Sequence, residues 1–239
     1  NENATYTITQ DATTKVVTVD IPNNQTTVQT VGGGASTYAG LPDGVDNLGT
    51  IVYVDGAITS LGGTVQKDTE VTISTENDIV ISDHLKYTKY NENGNPGDPD
   101  YVAPHVPTDK NDPDYGKNLL GLVAWGGNVR IGTSAPDNVD VHAVTMARNG
   151  YFQVDNYNSA AVGPRGTATL LGGAITQFYG AFGLFNGQTG AQVSGYGRNF
   201  VYDSRTLLGK SPPYFPSMRA FIAFTNDIMD KKVFQQGGF

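Results

Sequence analysis

The stretch that decides the fold is LGLVAWGGNVRI, residues 120–131. An apolar run, Leu120–Ala124, precedes a turn of small residues that ends at Asn128, and a second short strand follows. Apolar side chains grouped in runs this short are typical of β-strands, and Gly or Asn at a turn permits backbone angles that other residues avoid. The pattern therefore predicts two strands joined by a tight corner.

The same unit of strand, turn and strand recurs along the chain, with turns at Gly56, Asp78, Asn128, Gly150 and Gly173. The intervals are 22, 50, 22 and 23 residues, and the long one falls to 20 when the 30 residues of 88–117 are set aside. A period near 22 matches one rung of a parallel β-solenoid, in which each turn of the chain stacks on the one below. We predict an all-β fold, a right-handed parallel β-solenoid over 35–216 with a loop insertion at 88–117. An antiparallel sandwich also has short strands at regular spacing and stays open as the alternative, although it gives no reason for a turn at a fixed offset.

Segments of different composition flank the repeats. Alternating runs within 1–34 predict a few N-terminal strands that end at the joint Gly32–Gly34. The last 62 residues contain 13 of the 24 aromatic residues, which predicts an aromatic-rich C-terminal cap, with 217–239 as a tail or as part of that cap. Caps are expected because the end strands of a stack would otherwise expose unpaired edges.

Composition excludes several classes of protein. There are 15 Lys and Arg against 23 Asp and Glu, a net charge of −8, and the basic residues are scattered, so the chain lacks a surface for nucleic acid or anionic membrane. No cysteine is present, which excludes disulfide frameworks, thiolate zinc sites and cysteine nucleophiles. No apolar run approaches the roughly 18 residues that span a bilayer, so we expect no membrane insertion of this fragment. Because it begins at Asn1 rather than Met and shows no signal peptide, we expect a processed protein or an excised ectodomain.

An ordered set of segments between Thr50 and Pro216 resembles a β-solenoid module of bacterial surface proteins. Such modules are known only as domains of unknown function beside type IV pilus components, including large minor pilins in which a pilin domain carries the β-solenoid. The hydrophobic N-terminal helix of a pilin is missing here, and the tail from Ser217 is unlike that family. The segments that carry the resemblance are IVYVDG (51–56), NDIVI (77–81), NLLGLVA (118–124), GYFQVDNY (150–157), LGGAITQ (171–177), GYGRNFVYDSR (195–205) and PPYFP (212–216).

The resemblance implies presentation at a filament tip or cell surface, without an assigned reaction. We therefore expect an extracellular, non-enzymatic structural or adhesion module that presents loops from a rigid solenoid. Its expected partners are proteins of a pilus or cell-surface assembly, or surface glycans. The alternatives are a polysaccharide-active β-helix enzyme and a subunit of a phage or other filament fibre.

Residues for catalysis or for an organic cofactor do not emerge from the pattern. The predicted strands carry few charged residues, and these lie at different offsets from their turns, so no acid/base pair forms. Ser194 lacks the flanking glycine of a nucleophile elbow, and GYGRNF at 195–200 lacks the third glycine of a dinucleotide-binding loop. His142 lies within a predicted strand, where a packed or surface imidazole is expected.

Acidic and amide side chains are concentrated in the insertion, and they suggest a hard cation. Calcium prefers several oxygen ligands in a short loop that contains glycine. The spacing departs from an EF-hand, and the other interpretation is a solvated loop whose side chains cap their own turns. The candidate calcium ligands are Asp98, Asp100, Asp109, Asn111, Asp112 and Asp114.

Two tyrosines of the C-terminal aromatic tract, Tyr196 and Tyr202, are candidates for contact with a ligand or partner. Aromatic rings bury much area and suit a core or a cap, but exposed rings also stack on sugars or anchor a protein. The sequence leaves both roles open for these residues.

If the insertion binds calcium, removal of the ion is expected to destabilise the fold, because binding to the native state alone stabilises it. We expect EDTA to lower the melting temperature by several degrees in calcium-containing buffer. An unchanged melting temperature would contradict the calcium hypothesis.

Overall fold

The computed structural model describes residues 3–42, 49–94 and 98–216. Over these residues the chain is all-β, with mixed sheets and one short helix near their C-terminal end. The predicted all-β class is confirmed at this level. No helix within the described ranges is long and apolar enough to cross a membrane. The predicted tail, 217–239, lies outside the described residues.

The N-terminal strands form an antiparallel sheet in chain order. Asp11 and Asn24 occupy its first two hairpin turns with φ of 52° each, a left-handed conformation that Asp and Asn adopt more readily than most residues. The sheet continues past the predicted joint, because the Thr30 amide donates to the Gly34 carbonyl and the glycines form a third hairpin turn. The strands are β1 (Asn3–Gln10), β2 (Thr13–Asp20), β3 (Gln25–Thr30) and β4 (Ala35–Ala39).

The rest of the described chain is built mainly from one large mixed sheet whose strands pair mostly in parallel. Its apolar, β-branched runs suit strands that are covered on both faces. The strands that follow β4 are β5 (Thr50–Val54), β6 (Ile58–Val65), β7 (Glu70–Thr75), β8 (Ile79–Tyr87), β9 (Asn91–Asn93), β10 (Val102–His105), β11 (Leu119–Ala124), β12 (Val129–Ile131), β13 (Asp140–Ala147), β14 (Phe152–Val154), β15 (Pro164–Thr176), β16 (Gly183–Phe185) and β17 (Gln192–Tyr202).

Parallel pairing joins β5, β7, β11, β13, β15 and β17 in that order, and we call this series the first ladder. The register is continuous, so that Val52, Ile73, Leu122, Thr145 and Ala174 lie side by side. Continuous register means that each strand presents the same face as its neighbour, because side chains alternate between faces with a period of two.

A second ladder joins β6, β8, β12 and β14, again in parallel. Ile58, Ile79, Val129 and Phe152 lie side by side in it. Inward side chains of both ladders, Leu122 of the first among them, belong to one buried core. Burial of these aliphatic side chains is the main source of stability, at about 1.5–3 kcal/mol each.

The corners between the two ladders stack on one another through Asp and Asn side chains. The Asn128 amide donates to Asp78 Oδ1 at 2.7 Å, and the Tyr151 amide donates to Asn128 Oδ1 at 3.1 Å. A Cβ atom on Gly150 would lie 2.4 Å from Asn128 Oδ1, so this corner requires glycine. The turns predicted at Gly56, Asp78, Asn128 and Gly150 are confirmed, since each lies between two strands.

The turn predicted at Gly173 is wrong, because Gly173 lies inside the continuous strand β15 and pairs with Val144. The glycines there serve close backbone approach instead of a corner. A Cβ atom on Gly172, where φ is +155°, would lie only 1.9 Å from the Ala143 carbonyl oxygen. The first ladder therefore passes this point without a break.

The insertion at 88–117 contains a small antiparallel hairpin of β9 and β10, which the sequence did not predict. β9 is three polar residues and β10 is four residues with a proline, so neither strand carries an apolar alternation from which it could be identified. The C-terminal segment turns through a helix, α1 (Ser204–Leu207), and returns across the outside of the first ladder. There the Thr72 hydroxyl donates to the Pro213 carbonyl, and Phe215 packs against Val123 and Val144.

The close approach at Gly172 gives a test of the ladder register. We expect Gly172→Ala to destabilise the fold by about 2 kcal/mol or more, because the added methyl group meets a backbone atom that is fixed by pairing. Chemical unfolding of the variant measures this loss. Gly187→Ala is the matched control, since a Cβ atom there has nothing within 4 Å. Equal stability of the two variants would contradict the register.

Candidate functional site

An open cleft lies at the end of the first ladder. Its last described strand, β17, is shorter there than the neighbouring strand β15. β15 and β17 pair as far as Gly172 and Tyr202, and β15 then continues to Thr176 with no strand on that side among the described residues. Residues 177–182 cross from there to the second ladder, where the Val154 amide donates to the Ala181 carbonyl at 2.9 Å. The cleft lies between this crossing segment and the end of β17.

The cleft has a volume of about 350 Å³, which falls in the range of about 300–1,000 Å³ typical of ligand pockets. Glycine forms its floor, and a Cβ atom on Gly173 would meet only the Tyr202 ring, at 3.9 Å. The rings of Tyr179, Phe200 and Tyr202 are exposed by 83, 46 and 57 %. We call it the aromatic cleft, lined by Phe152, Leu170, Gly172, Gly173, Ala174, Thr176, Tyr179, Gly180, Phe182, Arg198, Phe200, Val201 and Tyr202.

A cluster of rings joins the bottom of the aromatic cleft to the core. Phe182 packs edge-on against Phe152 and Phe200, with ring centroids 5.1 and 5.3 Å apart. Phe200 lies beside Leu170 in the ladder, but nothing beyond it in the described chain covers its ring. The rigid ring cluster therefore holds an exposed aromatic surface at the end of the core.

Arg198 is the charged side chain of the aromatic cleft. Its guanidinium carbon lies 4.5 Å from the centroid of the Tyr179 ring and 4.8 Å from that of Phe182, which is cation–π geometry. It donates to the Gly180 carbonyl at 2.8 Å and to the Tyr179 hydroxyl. Partial burial lowers the pKa of Arg198, although the group stays charged at neutral pH. Within the described ranges no carboxylate forms an ion pair with it.

The two tyrosines named from the sequence have different environments. Tyr196 is fully buried, and its hydroxyl donates to the Pro136 carbonyl at 2.9 Å. Burial raises the pKa of Tyr196 to about 12. Tyr202 stands at the wall of the aromatic cleft and is the ring of this pair that a ligand can reach. Sequence reasoning missed Tyr179 and Arg198, since the aromatic tract was interpreted as a cap and GYGRNF was tested only as a dinucleotide-binding loop.

The first two candidate calcium ligands lie at the β9–β10 hairpin. The Asp98 carbonyl accepts from the Tyr101 amide at 3.2 Å, and the Asp100 carboxylate accepts from Asn93 Nδ2 at 3.0 Å. These contacts are hydrogen bonds within the hairpin.

The other candidate ligands form two successive Asx turns. The Asp109 carboxylate accepts from the Asn111 amide at 2.9 Å, and the Asp112 carboxylate accepts from the Asp114 amide at 2.8 Å. Lys89 Nζ lies 3.6 Å from Asp114 Oδ1. In the described part of the chain, no three acidic or His side chains are grouped to hold a metal ion. The calcium hypothesis remains a prediction.

A buried ion pair ties the base of the insertion to the end of β17. Arg205 Nη2 lies 2.6 Å from Asp203 Oδ2, and both side chains are buried. Arg205 Nη1 also donates to the Asn118 carbonyl at 2.8 Å. Asn199 Nδ2 donates to the Tyr101 hydroxyl at 2.9 Å, so the hairpin of the insertion contacts the same strand that bears Arg198.

A polar cluster lies between β8, β9 and β13. Lys86 Nζ lies 3.0 Å from Asp140 Oδ2, and the Asp140 amide donates to His84 Nδ1 at 3.0 Å. The Tyr90 hydroxyl donates to Glu92 Oε1 at 2.9 Å. Partial burial opposes the charge on Lys86, but hydrogen bonds with Tyr90 and Asp140 outweigh it and raise its pKa. Lys86 is therefore an ammonium ion at neutral pH and not a base.

His142 lies fully buried beside this cluster. Its Nδ1 accepts from the Tyr87 amide at 3.1 Å, so the proton of the neutral ring is on Nε2. The Tyr90 ring lies edge-on to it with centroids 4.6 Å apart. Burial lowers the pKa of His142 to about 4, and this effect outweighs the opposing influence of Asp140. The expectation of a packed imidazole agrees with this environment.

Comparison with known proteins gives no match: no family model, no curated protein and no solved structure is significantly similar to this chain.

The buried imidazole predicts how stability depends on pH. The unfolded chain binds a proton at His142 below about pH 6.5, whereas the folded chain does so only below about pH 4. Its contribution to stability is therefore complete above pH 6.5 and is lost as the pH falls towards 4. The other titratable groups that influence the imidazole are His84, Lys86, Asp140 and Asp203.

Chemical unfolding from pH 4 to 7.5 measures this dependence. His142→Asn retains an acceptor for the Tyr87 amide. Between pH 4 and 6.5 we expect this variant to reduce the slope of the free energy of unfolding against pH by an amount that corresponds to about one bound proton. His105→Asn is the control, because His105 is only half-buried. An unchanged slope in His142→Asn would show that other groups cause the loss at acid pH.

Proposed function

We propose that this chain is a right-handed parallel β-solenoid that acts as a non-enzymatic binding module on a bacterial surface or pilus. The in-register parallel ladders and the stacked corners at Asp78 and Asn128 support the solenoid. In such a module the ladders are a rigid base that holds its binding surfaces in fixed positions. Its partners are surface glycans or proteins of a cell-surface assembly.

The observation that carries the binding function is the aromatic cleft with its exposed rings. Exposed aromatic surface next to a glycine floor is suited to stacking against the apolar face of a sugar ring. Underlying rings hold Phe200 in place, so little conformational entropy is lost on binding. We propose that the aromatic cleft binds a glycan.

The arrangement favours binding over catalysis. In the lining of the aromatic cleft, Arg198 is the ionisable side chain other than tyrosine, and it cannot act as a base. The lining of the aromatic cleft therefore lacks the pair of carboxyl groups that glycoside hydrolysis uses.

A panel of neutral and acidic glycans tests this function with matched variants. We expect Tyr202→Ala to weaken binding by about tenfold, roughly 1.4 kcal/mol, with the melting temperature kept. Tyr53→Ala is the control, because Tyr53 on β5 has the same exposure of 57 % but lies at the other end of the first ladder. Gly173→Val is expected to block the cleft, since a Cβ atom there meets only the Tyr202 ring at 3.9 Å, and its melting temperature checks that the fold tolerates the larger side chain.

Three results would contradict the proposal. One is turnover of a glycan, which would indicate an enzyme. Another is binding that Tyr202→Ala and Gly173→Val leave intact, which would place the site elsewhere. The third is no binding to any glycan of the panel.

A further inference from the structure

We propose that the aromatic cleft selects an acidic sugar, a hexopyranose that carries a carboxylate such as a uronic acid residue of a polysaccharide. This inference rests on the proposed glycan-binding function and adds the chemical class of the ligand. The sugar ring stacks on the exposed rings, and its carboxylate is bound by Arg198.

Most other arginines in the described chain form an ion pair with a carboxylate, and Arg198 does not. Arg130 lies 2.8 Å from Asp155, Arg165 lies 2.9 Å from Asp137, and Arg205 is paired with Asp203. Arg198 has no carboxylate partner within the described residues, and it lies exposed against the rings of Tyr179 and Phe182. An accessible guanidinium without a carboxylate partner can form charge-assisted hydrogen bonds with an anionic group of a ligand, so the site is complementary to a ligand that carries a carboxylate.

The guanidinium is held in place and still has donors available. Contacts with Tyr179 and Gly180 use two of its five N–H groups, and its guanidinium carbon lies 4.8 Å from the centroid of the Phe182 ring. A carboxylate accepts two parallel hydrogen bonds from such a fork, which a neutral hydroxymethyl group cannot do. The acidic side chains elsewhere are screened at physiological ionic strength, where the Debye length is about 8 Å.

A sugar fits these features better than a second copy of the chain. Head-to-tail stacking would place the aromatic cleft against the start of the first ladder. The N-terminal sheet packs there, since Tyr6 of β1 packs against the core. In the described part of the chain, this contact covers part of the core surface that a head-to-tail copy would offer to the cleft.

Pairs of ligands that differ only in charge test the inference. The probes are oligosaccharides of polygalacturonate, alginate and hyaluronan, each beside its carboxyl-reduced, neutral counterpart. Calorimetry on the full chain measures the affinities at 50 and 500 mM NaCl. We expect at least one acidic probe to bind at least tenfold more tightly than its counterpart, with a preference that shrinks at high salt.

Variants assign that preference to Arg198. We expect Arg198→Gln to weaken binding of the acidic probe at least tenfold, to leave the neutral probe within about twofold, and to abolish the salt dependence. Arg148→Gln is the matched control, because Arg148 also lies over a ring, 5.7 Å from that of Trp125, without a carboxylate partner in the described chain. If Arg198→Gln does not fold, Arg198→Lys keeps the charge without the fork and is expected to retain only part of the preference.

The outcomes separate this inference from the proposed function. Equal binding of acidic and neutral probes, or binding of neutral glycans alone, would overturn the acidic class and leave a glycan-binding module. An acidic preference that survives in Arg198→Gln would also overturn it. Absence of binding to every probe would overturn both proposals. Dimers in sedimentation that Arg198→Gln dissociates would identify a second copy as the occupant and overturn the inference.

Discussion

The in-register parallel pairing of the first ladder is the constraint on which the rest of the structure depends. Neighbouring strands lie about 4.8 Å apart, so equivalent residues of successive units are placed directly beside one another. Most inward positions are apolar, as in the column Val52, Ile73 and Leu122, and the buried Thr145 that continues this column donates its hydroxyl to the Gly173 carbonyl. Corners must also repeat, and the bonds that connect Asp78, Asn128 and Tyr151 meet that requirement with backbone amides as donors.

A stack of this kind has two ends, and this chain completes them differently. At the first end the antiparallel sheet of β1–β4 packs beside β5, with Tyr6 against the core. At the other end β17 stops at Tyr202 while β15 continues, and aromatic side chains take the place that a further strand would fill. The aromatic cleft is thus a direct consequence of where pairing ends, because the buried rings of Phe152 and Phe182 close the core and the exposed ring of Phe200 packs on them.

Local sequence patterns predicted the strands and most corners, because residues within one repeat of about 22 residues determine these features. The corners at Asp78 and Asn128 were predicted correctly. Each of these side chains accepts a hydrogen bond from a backbone amide of the next unit, so a residue with a side-chain oxygen recurs at this position of the sequence. The turn predicted at Gly173 was wrong because the pair Gly172–Gly173 looks like a turn in the sequence, whereas Gly172 is required for close approach to the Ala143 backbone. The environment of Arg198 could not be predicted from the sequence. Its contacts with residues 179–182 form only when the chain folds, and which side chains lie near it, including whether an acidic one does, depends on the tertiary structure.

The two arginines near the end of β17 differ in how the fold compensates their charge. A buried polar or charged group needs compensation, and the pair of Asp203 and Arg205 receives it internally while holding the base of the insertion through Asn118. Arg198, seven residues earlier than Arg205, contacts two ring faces, one hydroxyl and one carbonyl among the described residues. Two arginines near the same strand end therefore differ in whether a carboxylate of the described chain neutralises their charge. One is satisfied by the fold itself, and the other is left with donor capacity that faces solvent through a cleft of fixed shape.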